Sequence, residues 1–268
     1  KAVDRPRISG TVVPDGMEVE GHKCWMGERG TITAHPQVLS DYKPALAFTL
    51  LELAAHEPSV RDPIAMCFDE RGRLFVCEMI DYSERREENP HLGRISVLED
   101  KDGDDKADGP PVKFLTGFQG IDHDHGVHGI SVGPEGKLYF SVGDAGVRDL
   151  KSSDGKGPVF NSNTTDLRAG TVWRCDIDGR NLELIAHNFR NNYMAAIDSF
   201  GNVFISDNDD DGNQQTRICF VMPGGNYGYH PRGAGQTHWH EEQPGIVPKV
   251  LRTFFGSPTG MCFYEGQL

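Results

Sequence analysis

Histidines and aspartates are concentrated in one short stretch of the sequence, IDHDHGVHG at positions 121–129. His123 and His125 are two residues apart and would share one face of a strand, whereas His125 and His128 are three apart, a spacing that suits a turn. Such a group can bind a transition metal. It can also supply a general base, with Asp124 as the carboxylate that orients the imidazole, or it can be an ordinary polar loop. Spacing alone leaves these alternatives open.

Aspartates alternate in a second stretch, DKDGDDKAD, which offers carboxylates at its positions 1, 3, 5 and 9. Alternate carboxylates around a chain-turning glycine can surround a hard cation with oxygen. The glycine stands at position 4 and no glutamate follows at position 12, so this is not an EF-hand. The pattern predicts either a structural calcium site or a solvated acidic hairpin, with the candidate ligands Asp100, Asp102, Asp104 and Asp108.

A third acidic stretch, SDNDDDG, repeats the alternation. A divalent cation here would act on the electronics of a bound cofactor and stabilise developing charge. The candidate metal ligands are Asp207, Asp209 and Asp211.

Composition excludes several classes of function. The formal net charge of -13 argues against nucleic acid as a partner, because no basic stripe is present to neutralise phosphates. No run of 18 apolar residues occurs, so no membrane span is expected in this chain. The six cysteines form no CxxC or CxxCH, which excludes a zinc ribbon and covalent c-type haem. The first residues, KAVDRPRISG, have no signal-peptide core and fit a processed or trimmed chain.

An internal repeat predicts the fold. Four segments each combine an apolar strand, a polar turn ending in glycine and a second apolar strand, and their glycines (Gly72, Gly136, Gly201 and Gly266) are 64, 65 and 65 residues apart. Further strand pairs between the copies give four strands per unit, as in a propeller blade. We therefore expect an all-β fold, a β-propeller that is six-bladed in a full-length protein of about 390 residues or more. This chain would supply three to four blades from residues 45–268, after an extension over residues 1–44.

The repeat also predicts where a site would lie. Arg61, His125 and Arg190 each stand eleven residues before a repeat glycine, so they should form a crown around one mouth of the propeller. The acidic residues that follow the second strands should gather at the same mouth, and the run 100–108 should lie at the opposite end. A concave mouth with cations, a histidine and carboxylates is a candidate ligand site, for which Arg61 is a predicted cofactor contact.

Three motifs carry a resemblance to a known family. The stretches DHGVHGISVGPEGKLYFSVGDAG (124–146), HNFRNNYMAAIDSFGNVFISDND (187–209) and PGGNYGYHP (223–231) resemble the soluble glucose/sorbosone dehydrogenases. Two further stretches are similar to the planctomycete-type, membrane-bound branch of this family: EPSVRDPIAMCFDERGRLFVCEMIDY and FGSPTGMCFYEG. In that branch the propeller often precedes a c-type haem domain. The resemblance covers roughly residues 45–268.

The resemblance implies a fold, two cofactors and residue roles. Members of the family are six-bladed propellers that bind pyrroloquinoline quinone (PQQ) and calcium. His125 matches the family's general base, with Asp124 beside it, and Arg190 and Asn191 match the residues that contact the quinone. The loop 207–211 matches the place of the cofactor-side calcium, although its surrounding residues differ.

The leading hypothesis is therefore a periplasmic or secreted PQQ-dependent dehydrogenase. It would oxidise a sugar or another alcohol or aldehyde and pass electrons to a c-type cytochrome domain or protein. The alternative is a non-enzymatic, calcium-stabilised propeller that binds carbohydrate or a partner protein, since propellers host many functions. A third interpretation is a transition-metal enzyme built on His123, His125 and His128.

Overall fold

Alternating apolar residues and tight glycine turns build antiparallel sheets in a computed structural model of the chain. The structure describes residues 55, 59–80, 92–103, 106–120, 125–163, 166–208, 215–230, 240–254 and 256–266, together with the backbone of three short N-terminal strands. The chain divides into two compact units, residues 1–54 and 55–268. In the first unit one sheet is described, with the strands β1 (Glu18–Val19), β2 (His22–Met26) and β3 (Ile32–Ala34). The predicted boundary at 44/45 lies outside the described residues.

The second unit contains three sheets that each follow the blade pattern. The first sheet has the strands β4 (Pro63–Phe68), β5 (Leu74–Glu78), β6 (Gly93–Leu98) and β7 (Val112–Phe118). The second has β8 (Val127–Val132), β9 (Lys137–Val142), β10 (Gly170–Asp176) and β11 (Glu183–Phe189), with β15 (Gly225–Asn226) parallel to β11 at its edge. The third has β12 (Asn192–Ile197), β13 (Val203–Asp207), β14 (Arg217–Phe220) and β16 (Leu251–Arg252). Apart from the β11–β15 pair, all neighbouring strands in these sheets are antiparallel.

The predicted repeat is confirmed in these three sheets, which we call blades 1, 2 and 3. Gly72, Gly136 and Gly201 close the first hairpin of each blade with φ angles of 77°, 77° and 84°, a left-handed conformation that glycine adopts at low cost. Each of these glycines donates its backbone N–H to the carbonyl three residues earlier. The same turn chemistry therefore recurs in each blade, and the described part of the chain is all-β.

The core lies between neighbouring blades. The innermost strands β4, β8 and β12 are neighbours in that order. Between blades 1 and 2 the rings of Phe118 and Phe140 meet edge to face at 5.7 Å, and Trp173 is fully buried in the same cluster. A second cluster, which includes Ile205 and Tyr227, lies between blades 2 and 3. Burial of these aromatic and branched side chains is the main force that holds the blades together.

The terminal segment 256–266 was expected to begin a fourth blade. No strand is present in the described residues 256–266. The segment nevertheless lies along blade 3, where Ser206 Oγ donates to Pro258 O at 3.1 Å and Phe263 packs on Phe204. Ser141, one repeat earlier, donates in the same way to Tyr193 O. The segment thus takes the place of a next inner strand. No helix long and apolar enough to cross a membrane occurs in the described part of the chain.

Candidate active site

The three predicted crown residues lie at one end of their blades. In blade 1 the Arg61 N–H donates to Glu78 Oε1 at 2.8 Å, and in blade 3 the Arg190 N–H donates to Asp207 Oδ1 at 3.0 Å. In blade 2 the carbonyl of His125 accepts from Ala145 N–H at 3.2 Å. Each crown residue is therefore fixed through its backbone to the end of the second strand of its own blade.

Buried ion pairs hold the crown backbone in blade 1. Glu78 has no exposed side-chain surface and accepts from Arg94 Nη2 at 2.9 Å and from Ser96 Oγ, in addition to Arg61 N–H. Burial acts to raise the pKa of this carboxyl, but hydrogen bonds from Arg94, Ser96 and the Arg61 backbone outweigh it, so the pKa is lowered. Glu78 is therefore ionised at neutral pH and satisfied by its donors.

Blade 3 repeats this arrangement with Asp207 and Arg217. Both side chains are 0% exposed, and Arg217 Nη2 donates to Asp207 Oδ2 at 2.9 Å. Burial raises the pKa of Asp207, and the Arg217 and Arg190 charges oppose that effect. These bonds join the carboxylate to Arg217 and to the Arg190 backbone, and the metal-ligand role of Asp207 stays a prediction. Asp209 and Asp211 lie outside the described residues.

Blade 2 lacks the ion pair. Val142 and Thr171 occupy the paired positions that Glu78 and Arg94 occupy in blade 1 and that Asp207 and Arg217 occupy in blade 3. The next residue is Gly143, whose N–H donates to Gly126 O at 2.9 Å. Without a bulky ion pair at this end, the chain around His125 comes close to its own second strand.

His125 is paired with a carboxylate. Its Nδ1 contacts Asp144 Oδ1, and the two side chains are 14% and 16% exposed. A carboxylate oxygen can only accept, so Nδ1 carries the proton and Nε2 is the basic nitrogen. A carboxylate of its own blade therefore orients the His125 ring, and the general-base role of His125 stays a prediction.

The sequence placed Asp144 at the mouth but predicted Asp124 as the partner of His125. Asp124 and His123 lie outside the described residues, so the role of Asp124 stays a prediction. The signal that could have identified Asp144 is its place immediately after the second strand of the same blade, in VGDAG. A residue that follows the second strand lies at the same blade end as the residues that precede the first strand, and here these are Asp144 and His125.

Asn191 and His128 are buried beneath this mouth. Asn191 is 1% exposed and its Oδ1 lies 2.7 Å from Nε2 of His128, which is 0% exposed. The His128 ring stacks on Tyr193 at 4.3 Å with an interplanar angle of 14°. The structure thus places Asn191 in the packing that supports the mouth.

The first acidic run forms a cluster at the opposite end of blade 1. Carboxylate oxygens of Asp100, Asp102 and Asp108 lie within 4.8 Å of one another, and all three residues are exposed. Asp108 Oδ2 accepts from the Lys101 and Asp102 backbones, and Asp100 Oδ1 accepts from Gly103 N–H at 2.7 Å. Asp104 lies outside the described residues. The predicted convergence of these carboxylates is seen, and the calcium ion stays a prediction.

Fold and site together define a β-propeller with a polar mouth. Two overlapping segments, 46–112 and 101–224, match a family model described as a domain of unknown function, DUF7133. These segments cover more than half of the chain, which therefore belongs to that family. No curated protein matches the chain in sequence.

Solved structures share the fold. A glucose dehydrogenase superposes with a TM-score of 0.57 and 16% identity over 83% of this chain and 68% of the other. The apo-form of the soluble aldose sugar dehydrogenase of Escherichia coli gives a TM-score of 0.51 and 13% identity over 76% and 63%. The PQQ-bound aldose sugar dehydrogenase of Streptomyces coelicolor gives 0.46 and 17% over 81% and 75%. The first two likenesses, at these identities, show the fold alone.

Proposed function

We propose that this protein oxidises a sugar, or another alcohol or aldehyde, at the mouth of its propeller, with PQQ as the hydride acceptor. The observation that carries the proposal is the contact of His125 with Asp144 at the same blade end as Arg61 and Arg190. The propellers of glucose dehydrogenase and soluble aldose sugar dehydrogenase support the substrate class. PQQ itself rests on the motif resemblance.

His125 performs the proton transfer. With Nδ1–H held by Asp144, Nε2 takes the proton of the substrate hydroxyl, and Asp144 stabilises the resulting imidazolium. The carbinol carbon loses a hydride in the same conversion, which leaves a C=O bond. When bound, PQQ supplies the two-electron acceptor for that hydride.

The charges of the mouth fit PQQ, which carries three carboxylates. Arg61 is exposed, and within the described part of the chain its guanidinium makes no hydrogen bond or ion pair. Arg190 is close to Asp207, but the charge of Asp207 is already compensated by Arg217. Arg61 would therefore retain attraction for an anionic cofactor and for its reduced, more negative form, and the contact of Arg190 with the quinone rests on the motif resemblance. Asn191 is proposed to support this site from below.

Calcium is proposed as a structural ion in the exposed cluster of Asp100, Asp102 and Asp108, with Asp104 as a further ligand from the sequence pattern. Oxygen donors of this kind suit a hard cation. A second calcium near the cofactor is proposed on Asp209 and Asp211. The remaining features follow the family that the chain resembles: a periplasmic or secreted location, and a c-type cytochrome domain or protein as electron acceptor.

The test is a dye-reduction assay with the protein reconstituted with PQQ and calcium and offered aldoses, alcohols and aldehydes. We expect substrate-dependent turnover, and a loss of about 10²- to 10⁴-fold in kcat for His125→Ala with PQQ binding retained. Asp144→Asn should lower kcat in the same direction, because the amide can no longer stabilise the imidazolium. An unchanged rate in His125→Ala would refute the proposed base.

A binding assay separates the non-enzymatic alternative. The calcium-stabilised binding propeller predicts retention of an oligosaccharide by the protein with no PQQ-dependent turnover. The exposed acidic cluster fits either function, so turnover is the discriminating measurement. Metal analysis after chelation and dialysis tests the transition-metal interpretation, which requires a stoichiometric ion at the histidines.

A further inference from the structure

His128 is a fully buried histidine that the proposed chemistry does not use. It lies in β8, the innermost strand of blade 2, only three residues after His125. A bulge follows it, where Gly129 adopts a φ of 57° and its backbone approaches that of β12. A β-carbon at Gly129 would lie 2.6 Å from Tyr193 O and 2.7 Å from Met194 Cα. The bulge therefore brings His128 close to blade 3.

One hydrogen bond from His128 joins the two blades. Asn191 Oδ1 can only accept, so His128 Nε2–H is the donor across the 2.7 Å contact. Stacking on Tyr193 fixes the ring plane, and Nδ1 lies 3.4 Å from Ser141 Oγ. Asn191 directly follows Arg190, so this bond fixes the chain that carries the mouth cation.

Asn191 also lies close to Gly143, which packs against the backbone of His125. A β-carbon at Gly143 would lie 2.3 Å from Asn191 Oδ1, 2.6 Å from His125 O and 2.8 Å from His125 Cα. Gly143 is therefore packed between the Asn191 amide and the His125 backbone, and the next residue is Asp144. A shift of Asn191 would therefore displace Gly143, and with it the backbone of both His125 and Asp144.

We propose that His128 is a positioning residue: through Asn191 it sets the distance between the His125–Asp144 base in blade 2 and Arg190 in blade 3. The inference rests on the proposed function for its kinetic consequence only. It assigns a role to the third histidine of the IDHDHGVHG stretch, and that role is structural support without a metal. The neighbouring ring of Tyr193 and the hydroxyl of Ser141 are uncharged, so the link depends on hydrogen bonding and packing.

The test compares two substitutions at one position. His128→Phe keeps a flat ring against Tyr193 but removes the donor, whereas His128→Gln can still donate to Asn191 and loses the stacking. We expect His128→Phe to lower kcat by about 10- to 100-fold, because small displacements at a reacting centre have effects of that size. The KM for the sugar should change little, as for an interaction that matters in the transition state. His128→Gln should recover most of the rate.

A second readout does not depend on turnover. The ¹⁵N shifts of the His125 imidazole report which nitrogen carries the proton, and they should change in His128→Phe and stay near wild type in His128→Gln. Urea unfolding confirms that each variant is folded. Wild-type His125 shifts together with an unchanged kcat in folded His128→Phe would overturn the inference. Absence of PQQ-dependent turnover in the wild type would instead refute the proposed function, and the ¹⁵N comparison would still decide the role of His128.

Discussion

Removing the negative charge of Asp207 should destabilise the protein strongly. In Asp207→Asn the Arg217 guanidinium stays buried, with 0% exposure, and loses the carboxylate that compensates its charge. In the wild type the carboxylate accepts from Arg217 Nη2 at 2.9 Å and from the Arg190 N–H at 3.0 Å. The amide of the variant must point its own NH₂ donor at one of these two donors. A buried charge without its partner is the reason for the expected loss.

The size of the effect follows from the burial of the pair. Breaking a buried ion pair by removing one partner costs about 3–5 kcal/mol. Glu241 lies 3.4 Å from Arg217 and offers partial compensation, but it is shared with Lys249 and Arg252. We therefore expect the lower end, about 3 kcal/mol, which raises the unfolding equilibrium constant roughly a hundredfold.

Equilibrium unfolding in urea, followed by tryptophan fluorescence, measures the free energy of unfolding. Asp176→Asn is the matched control, because its pair with Lys137 is similar in length at 3.0 Å but is 29% and 32% exposed. It should cost about 0.2–1 kcal/mol. The double variant Asp207→Leu/Arg217→Met should be more stable than Asp207→Asn, since no charge stays buried. If Asp207→Asn and Asp176→Asn lose equal stability, the reasoning about burial is wrong.

Three further outcomes are expected. The pKa of Glu78 is lowered from 4.5, so the ionised carboxyl stabilises the folded state above pH 4.5, and this stabilisation is lost as the pH falls below that value. The wild type should therefore lose more urea resistance than Glu78→Gln between about pH 5 and 3. Gly143→Ala should lower kcat, because its methyl group would overlap Asn191 Oδ1 at 2.3 Å, and Gly109→Ala serves as a control with open space around it. Asp108→Asn should reduce the rise in melting temperature that added calcium produces in the wild type, whereas an equal rise would exclude Asp108 as a ligand.

The blades could be predicted because their signals are local. Alternating apolar residues and a glycine turn specify each hairpin, and the same pattern recurs every 64 or 65 residues. The same spacing placed Arg61, His125 and Arg190 at one blade end. The strand expected in 256–266 is not present in the described residues, because a strand needs a pairing partner as well as an apolar pattern.

The partners of the site residues could not be predicted in this way. Asp144 lies 19 residues from His125, and Asn191 lies 63 residues from His128. Asp124 was predicted because adjacency is what a sequence shows directly, and its role stays a prediction. The alternation in SDNDDDG predicted a metal ligand at Asp207, and only the pairing of β13 with β14 shows that this carboxylate also binds Arg217.

The sequence by itself determined the blades, their period and the residue types that gather at one mouth, because these follow from short-range pattern and repetition. Tertiary structure alone decided that His125 contacts Asp144 and that His128 is buried against Asn191. That choice depends on the packing of blade 2 against blade 3, where hydrogen bonds join residues that are far apart in the chain. Side-chain burial and strand register, which no local pattern encodes, give the two histidines these different surroundings.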